Sequence, residues 1–411
     1  MIRKYRPYLD LSDILAALRP GTGRNEFESA VAARVGARYA VAFAYGHSGA
    51  IASLKALGVT EAEVILPAYT CTVMADSVVA SGNRPVFVDI DLADYNMGLD
   101  AMKATLTLQT RAIVATHMYG YPTNVDAIRE AVGDERVLII EDRALGLLTS
   151  TLGTTDLRGD IGLFSFGPNK HLFTVQGGVI ATNSIDLYEK IKACRDREMD
   201  HLPAAVWIKR WMRLLFSYLP FGDSISLHGL LNKIQNTTAP NRSPSHFNPT
   251  PTLVARDYAT AYTAFQARVG LSQLRKLDVI LDRRQTLAKF YDRELRDVPG
   301  LTPAPIIPGA TYSHYTVRIR RRDKIGFSQH MRNRGVEVGQ MYDRVLPFRK
   351  RFRPYAKDKY PNTEQATRQV VNLPNYPNLT MAEAQHIAKC TRHILQKFGQ
   401  CLGGSNELVY T

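Results

Sequence analysis

The chain has 411 residues, 45% of them apolar and 22% charged, the balance of a globular protein and not of a disordered or fibrous one. Lys plus Arg against Asp plus Glu is 52 − 38, a formal net charge of +14, and no uncharged apolar run is long enough to span a bilayer. The length exceeds one ordinary core and suits two domains.

The opening ten residues are charged and lack an apolar stretch, so no secretory leader is expected. Cys71, Cys194, Cys390 and Cys401 show no CxxC spacing, and His, Cys, Asp and Glu show no metal-ligand spacing. Neither a disulfide scaffold nor a metal site is expected, and the expected compartment is the cytoplasm. Basic clusters at 318–322 and 349–353 lie in no nucleic-acid motif. A solvated basic surface explains them most simply. Anionic small molecules or lipid headgroups could also account for them, and no nucleic-acid partner is expected.

Residues 1–25 read as an N-terminal arm. Helical spacing at 26–35 leads to a strand at 39–43, then to a helix from 48 that stops at Gly58. Strand-like runs follow at 63–66, 84–88, 112–115 and 137–140, with helical segments at 71–81 and 124–132 as crossovers. The later runs are continuously apolar, which predicts strands covered on both faces. A strand pair at 162–166 and 178–182 brackets the turn-rich Gly167-Pro168-Asn169-Lys170.

Between 187 and about 231 the chain is helix-like and holds both tryptophans, Trp207 and Trp211. Its run 214–219, flanked by Lys209, Arg210 and Arg213, suits a peripheral membrane contact, a packed helix or a subunit contact, the last two being simpler. A polar loop at 235–251 precedes a helix from 253 to about 277, broken near Gly270. Helix to 296, strand at 313–319, helix at 327–334 stopping at Gly335, and a closing helix from 381 complete the chain. The predicted fold class is α/β: a mostly parallel central sheet in a large domain at 26–250, including a divergent 187–250 segment, then a linking helix and a smaller C-terminal α+β domain at 251–411.

Glu141 and Asp142 end one apolar strand, where open α/β sheets bind ligands, although a strand-end carboxylate is as often a cap. Tyr45-Gly46-His47-Ser48 joins a strand to a helix; its amides and the Ser48 hydroxyl suit a phosphate, or form a simple capped turn. Lys170 follows another strand together with Ser165, and Gly177-Gly178 comes shortly after. A phosphate cradle, a strand-end carboxylate and a lysine together suit pyridoxal 5'-phosphate, whose aldehyde needs an amine and whose ring nitrogen needs an anion.

Stretches 36–43, 66–70, 85–91, 117–122, 141–144, 159–162, 164–170 with 177–178, 334–338 and 371–374 resemble, in order and spacing, the DegT/DnrJ/EryC1/StrS family of sugar aminotransferases. The resemblance implies the aspartate aminotransferase fold (fold type I) and a pyridoxal 5'-phosphate cofactor. It implies Lys170 as the Schiff-base lysine and proton-transfer base, and Asp142 as partner of the ring nitrogen. Ser165 and the backbone of Gly46 and His47 would be phosphate ligands. The implied reaction is a ping-pong transamination from a small-molecule donor, usually glutamate, to a keto-sugar, often nucleotide-linked, in a homodimer with shared active sites.

Several positions depart from the pattern. Cys71 stands where an aromatic ring commonly stacks on the cofactor, Arg143 and Leu145 alter the Glu-Asp-Ala-Ala-Gln pattern, and Gln176 replaces a glutamate. Arg143 would meet phosphate, a carboxylate or Glu141. The family's partner-subunit asparagine has no placed equivalent; Asn241 is a candidate. His117 would approach the cofactor or hold a structural hydrogen bond, and His171 and His314 are similarly open. A related dehydratase would carry histidine at the lysine position, so Lys170 disfavours elimination. A non-sugar carbonyl acceptor stays open, as does a non-catalytic regulatory or membrane-associated protein that retains the fold.

Overall fold

The computed structural model describes residues 1–21, 23–56, 58–150, 153–218, 257–320 and 324–400. Seven strands form the central sheet: β1 (Tyr39–Phe43), β2 (Glu63–Pro67), β3 (Arg84–Val88), β4 (Thr110–Thr116), β5 (Leu138–Asp142), β6 (Ile161–Ser165) and β7 (Gly178–Thr182). Their spatial order is β1-β7-β6-β5-β4-β2-β3. β3, β2, β4, β5 and β6 run parallel, and β7 is antiparallel to both neighbours.

The continuous apolar runs have the predicted cause. Side chains alternate between two faces, and each face has its own apolar layer. Leu66, Val114 and Ile140 join one cluster; Ile65, Ile113 and Ile139 join the other. Helices Gly46–Ala56, Thr72–Ala80 and Val125–Val132 supply the crossovers. The last is set by Asn124, whose side chain accepts from the Ala127 amide at 3.1 Å.

A second, antiparallel sheet has the order β10-β9-β8, with β8 at Leu301–Thr302, β9 at Tyr315–Ile319 and β10 at Val370–Leu373. Tyr291 of helix Leu277–Leu295 and Ile387 of helix Met381–Gln400 pack with Tyr315 and Val317 in its core. β8, β10 and helix Pro361–Gln369 have no counterpart among the predicted elements.

Three further differences have physical reasons. The N-terminal arm contains a helix, Leu11–Leu18, closed at its start by a reciprocal Asp10–Asp13 capping box and packed on helix Ala264–Arg275. That second helix is not broken at Gly270: the glycine lies against Phe27, where a Cβ would collide with the ring, so it permits close packing inside a continuous helix. The change of direction comes at Lys276, before helix Leu277–Leu295. The segment after 187 has two described helices, Ile185–Glu198 and Ala204–Tyr218. The predicted loop at 235–251 with Asn241, the predicted helix start at 253, and Cys401 lie outside the described residues. Among the described residues, no helix is long and apolar enough to cross a membrane, and no His/Cys/Asp/Glu group is arranged to hold a metal ion.

Candidate active site

The register carries the carboxyl ends of β1, β2, β4, β5 and β6 to one edge of the sheet, and the antiparallel β7 begins there. Asp142 ends β5, Ser165 ends β6, and Lys170 lies in the connection from β6 to β7. Asp142 and Cys71 both lie within electrostatic reach of the Lys170 amine. Burial lowers the Lys170 pKa and raises those of the Asp142 carboxyl and the Cys71 thiol. Each charged form is therefore disfavoured alone and gains from a counter-charge.

Asp142 is held from two sides. Its Oδ1 accepts from the Ala144 amide at 3.0 Å, and its carbonyl accepts from the His117 amide at 3.0 Å. Behind it, Glu141, Arg143 and His117 form a fully buried network. Arg143 Nε donates to Glu141 at 2.7 Å, and the guanidinium also donates to the carbonyls of Thr155 and Asp156 at 2.7 and 3.0 Å. Arg143 thus meets Glu141, one of the three partners left open by the sequence. Glu141 also accepts from the Arg158 amide at 2.6 Å. Burial alone would raise the Glu141 carboxyl, but the His117 hydrogen bond and the Arg143 charge carry it down to about 2. The His117 ring is engaged at both nitrogens, Nε2 with Glu141 at 3.2 Å and Nδ1 with the Thr149 hydroxyl at 2.9 Å. Burial outweighs the Glu141 hydrogen bond and lowers its pKa, which favours the neutral ring.

Helix Gly46–Ala56 begins against the end of β6. A Cβ on Gly46 would stand 3.3 Å from Ser165 Cβ, and one on Gly178 would collide with the Gly46 backbone. Glycine at both positions lets the helix start, Ser165 and the first residue of β7 converge. The first-turn amides have no intrahelical acceptor, so together with the Ser165 hydroxyl they are groups that could hold an anion. His47 stacks on Tyr45 at 4.7 Å, and burial lowers its pKa to about 4. Its Nε2 is buried without a hydrogen-bond partner. Ser48, predicted to offer its hydroxyl to a phosphate, donates instead to the Tyr258 carbonyl at 2.7 Å; its proton fixes the helix start.

Cys71 precedes helix Thr72–Ala80. Tyr342 lies within electrostatic reach of both Cys71 and Asp142, and its ring meets Tyr69 edge-to-face at 5.0 Å. It brings an aromatic ring to the neighbourhood of the missing one. It arrives from a distant part of the chain, and nothing in its local sequence marks it. His171 and His314 both lie within electrostatic reach of Lys170; His171 Nε2 turns to the Thr311 carbonyl at 3.3 Å, and His314 is held by burial at about 3. Gln176 accepts from Arg213 at 3.1 Å, and Tyr45 donates to Asp257 at 2.7 Å. The divergent helix Ala204–Tyr218 therefore touches the site, which its sequence did not reveal. Arg284, also unmarked by any motif, donates to the Lys170 carbonyl at 3.4 Å.

The profile of the DegT/DnrJ/EryC1/StrS aminotransferase family matches residues 11–392. The chain belongs to this family. It is 28% identical to dTDP-4-dehydro-2,3,6-trideoxy-D-glucose 4-aminotransferase from Saccharopolyspora spinosa, over 79% of this chain and 76% of that one. It is 27% identical to GDP-perosamine synthase from Caulobacter vibrioides, over 90% and 89%. Helicobacter pylori PseC, an aminotransferase involved in the biosynthesis of pseudoaminic acid, has the same fold, with a TM-score of 0.77 at 20% identity over 96% of this chain and 99% of that one.

The cofactor of this aminotransferase family is pyridoxal 5'-phosphate. The donor set fits it: an anion cradle, a desolvated amine and a buried carboxylate that gains from a cationic partner meet at one sheet edge.

Proposed function

We propose that this aminotransferase moves an amino group from glutamate to the carbonyl of a nucleotide-linked keto-sugar. The observation that carries this reading is the meeting of Lys170, Asp142 and the cradle at Gly46 and Ser165. Pyridoxal phosphate supplies the electron sink that lets a C–H bond beside nitrogen ionise. Lys170 provides the amine that holds the cofactor and, once released, takes and returns a proton at Nζ; its burial favours the neutral form this needs. Asp142 presents its carboxylate to the ring nitrogen, steadied by the Ala144 amide. The Ser165 hydroxyl and the amides of Gly46 and His47 donate to the phosphate. Cys71 and Tyr342, which lie close to each other and to Asp142, would line the pocket for the ring, and His117 is a positioning residue acting through Glu141 and the end of β5.

The acceptor class is supported by the nucleotide sugars in the names of the Saccharopolyspora and Caulobacter relatives. It is also supported by two cations near the site: Arg349 within electrostatic reach of Cys71, and Arg213 within reach of Tyr45. The proposal includes a cytoplasmic homodimer with shared sites. Free cysteines at 71, 194 and 390 suit a reducing compartment, and sites of this fold type are built between subunits.

The test is an absorbance spectrum of the purified protein with cofactor, then L-glutamate, then candidate acceptors followed by mass spectrometry. A visible band should give way to a near-ultraviolet one on adding glutamate, and a nucleotide keto-sugar should gain an amine. Lys170→Ala should lack the visible band and lose turnover by at least about a thousand-fold. A wild-type band that ignores glutamate overturns the donor, and amination of simple keto acids alone overturns the acceptor.

A further inference from the structure

Residues 342–352 reach the site with little backbone structure of their own: one 3-10 turn at Leu346–Phe348 and no strand. Two of their side chains, Tyr342 and Arg349, lie within electrostatic reach of Cys71, and Tyr342 also of Asp142. Apolar side chains seat the segment. Leu346 and Phe352 are buried in the cluster that holds Met74, Val78 and Phe87, and the Phe352 ring meets Phe87 edge-to-face at 5.8 Å. Apolar burial is not directional, so it does not by itself fix which residue of the segment stands at the pocket.

One contact of the segment is directional. Arg351 Nη2 donates to Asp76 Oδ2 at 2.6 Å. Asp76 belongs to helix Thr72–Ala80, which begins just after Cys71, and is fully buried. Its Oδ1 has no hydrogen-bond partner. Burial pushes the carboxyl pKa up, and the charges of Arg351 and Arg349 pull it back. The helix has no need of a carboxylate at this position, since Met74, Ala75 and Val78 bury apolar groups on it. A buried ion pair adds little stability over well-packed apolar groups, so stability alone does not explain this one.

We propose that Asp76 and Arg351 are a positioning pair, fixing segment 342–352 so that Tyr342 and Arg349 are presented to the substrate beside Cys71. The proposal rests on the aminotransfer reading above and adds the residues that hold this wall of the pocket. A charge-assisted hydrogen bond suits the task, because a slip of one residue along the segment would break it, whereas apolar contacts would re-form. Arg349 faces Asp343 at 4.0 Å and lies within reach of Arg344, so the segment brings cations as well as a ring. The ligand chemistry is an anionic group of the substrate, either a carboxylate of glutamate or the diphosphate of a nucleotide-linked acceptor.

The pair can be removed without stranding a charge. In the cofactor-loaded protein, Asp76→Leu combined with Arg351→Met should melt within about 3 °C of wild type, because apolar groups replace buried ions at little cost. Hydrogen exchange read by peptide mass spectrometry should quicken at least about ten-fold over 342–352 and stay unchanged over β4 and β5. Two further measurements locate the anion: saturation of the glutamate half-reaction, followed by the visible band, and calorimetric binding of dTDP and GDP. At least one apparent dissociation constant should rise about five-fold or more, while the maximal half-reaction rate stays within about two-fold. A rise for glutamate alone assigns the carboxylate, and a rise for the nucleotides alone assigns the diphosphate. Asp76→Asn, which keeps the shape and loses the charge, should act in the same direction even if the double variant does not fold. Failure of both to fold, unchanged exchange over 342–352, exchange that quickens throughout the protein, or a loosened segment with every constant as in wild type each overturns the proposal. A wild-type band that ignores glutamate overturns the donor named above and leaves exchange and nucleotide binding to decide. A wild type that responds to neither glutamate nor nucleotide overturns both readings.

Discussion

Two buried arginines, Arg143 behind the site and Arg210 on the divergent helix, show two ways of burying a cation. Arg143 has a carboxylate partner, Glu141, which is itself supported by His117 and backbone amides. Arg210 has only neutral acceptors, Ala261, Thr260 and Gln266, and its Nε is buried without a partner. The first arrangement is compensated and locks the end of β5, where Asp142 must be held. The second leaves a cation desolvated, and burial lowers its pKa. Removing one partner of a buried ion pair strands the other charge, whereas removing a cation among neutral acceptors strands none.

The sharpest way to break this contrast is Arg143→Met. It should destabilise the protein by about 3–5 kcal/mol, because Glu141 would remain ionised and buried without its cation. Arg210→Met should cost less, about 1–2 kcal/mol, since Gln266 Oε1 still accepts from the Thr263 hydroxyl at 2.8 Å. Chemical unfolding of both variants with cofactor bound checks the order. Equal losses would mean that the ion pair is not what distinguishes the two regions.

The smallest effect is a pH dependence from buried histidines, one in this network and one outside it. Burial holds His117 and His171 below the usual histidine pKa. The unfolded chain takes up these protons near pH 6.5 and the folded one only at lower pH. Their contribution to stability is therefore complete above about pH 6.5 and is lost as pH falls below it, at up to about 1.4 kcal/mol per pH unit for each ring. Unfolding measured at pH 7 and pH 5 should show the slope, and His117→Asn should remove one ring's share of it. Arg210→Met should leave the slope as it is.

Much of the large sheet was legible because its strands are short apolar runs bounded by turn residues. β1, β3 and β7 begin and end where the runs do. The helix Leu11–Leu18 was hidden for the opposite reason: its leucines face outward, so its apolar positions do not mark a core-facing stripe. Gly270 looked like a break because glycine disfavours helix, yet the ring of Phe27 needs the space a side chain would fill. β8 and β10 owe their strand state to β9, a partner no local pattern discloses.

By itself the sequence determined the strand-and-helix alternation and the positions of Lys170, Asp142, Ser165 and the Gly46 turn at element ends, because apolar periodicity and turn chemistry are local. Only the tertiary structure decided which groups those residues meet. It turned Arg143 to Glu141 and the Ser48 proton to Tyr258, brought Tyr342 beside Cys71, and set the cations of helix Ala204–Tyr218 inward with its tryptophans at the outer margin. Burial and charge pairing depend on neighbours far away in the chain, and a short window of sequence does not contain them.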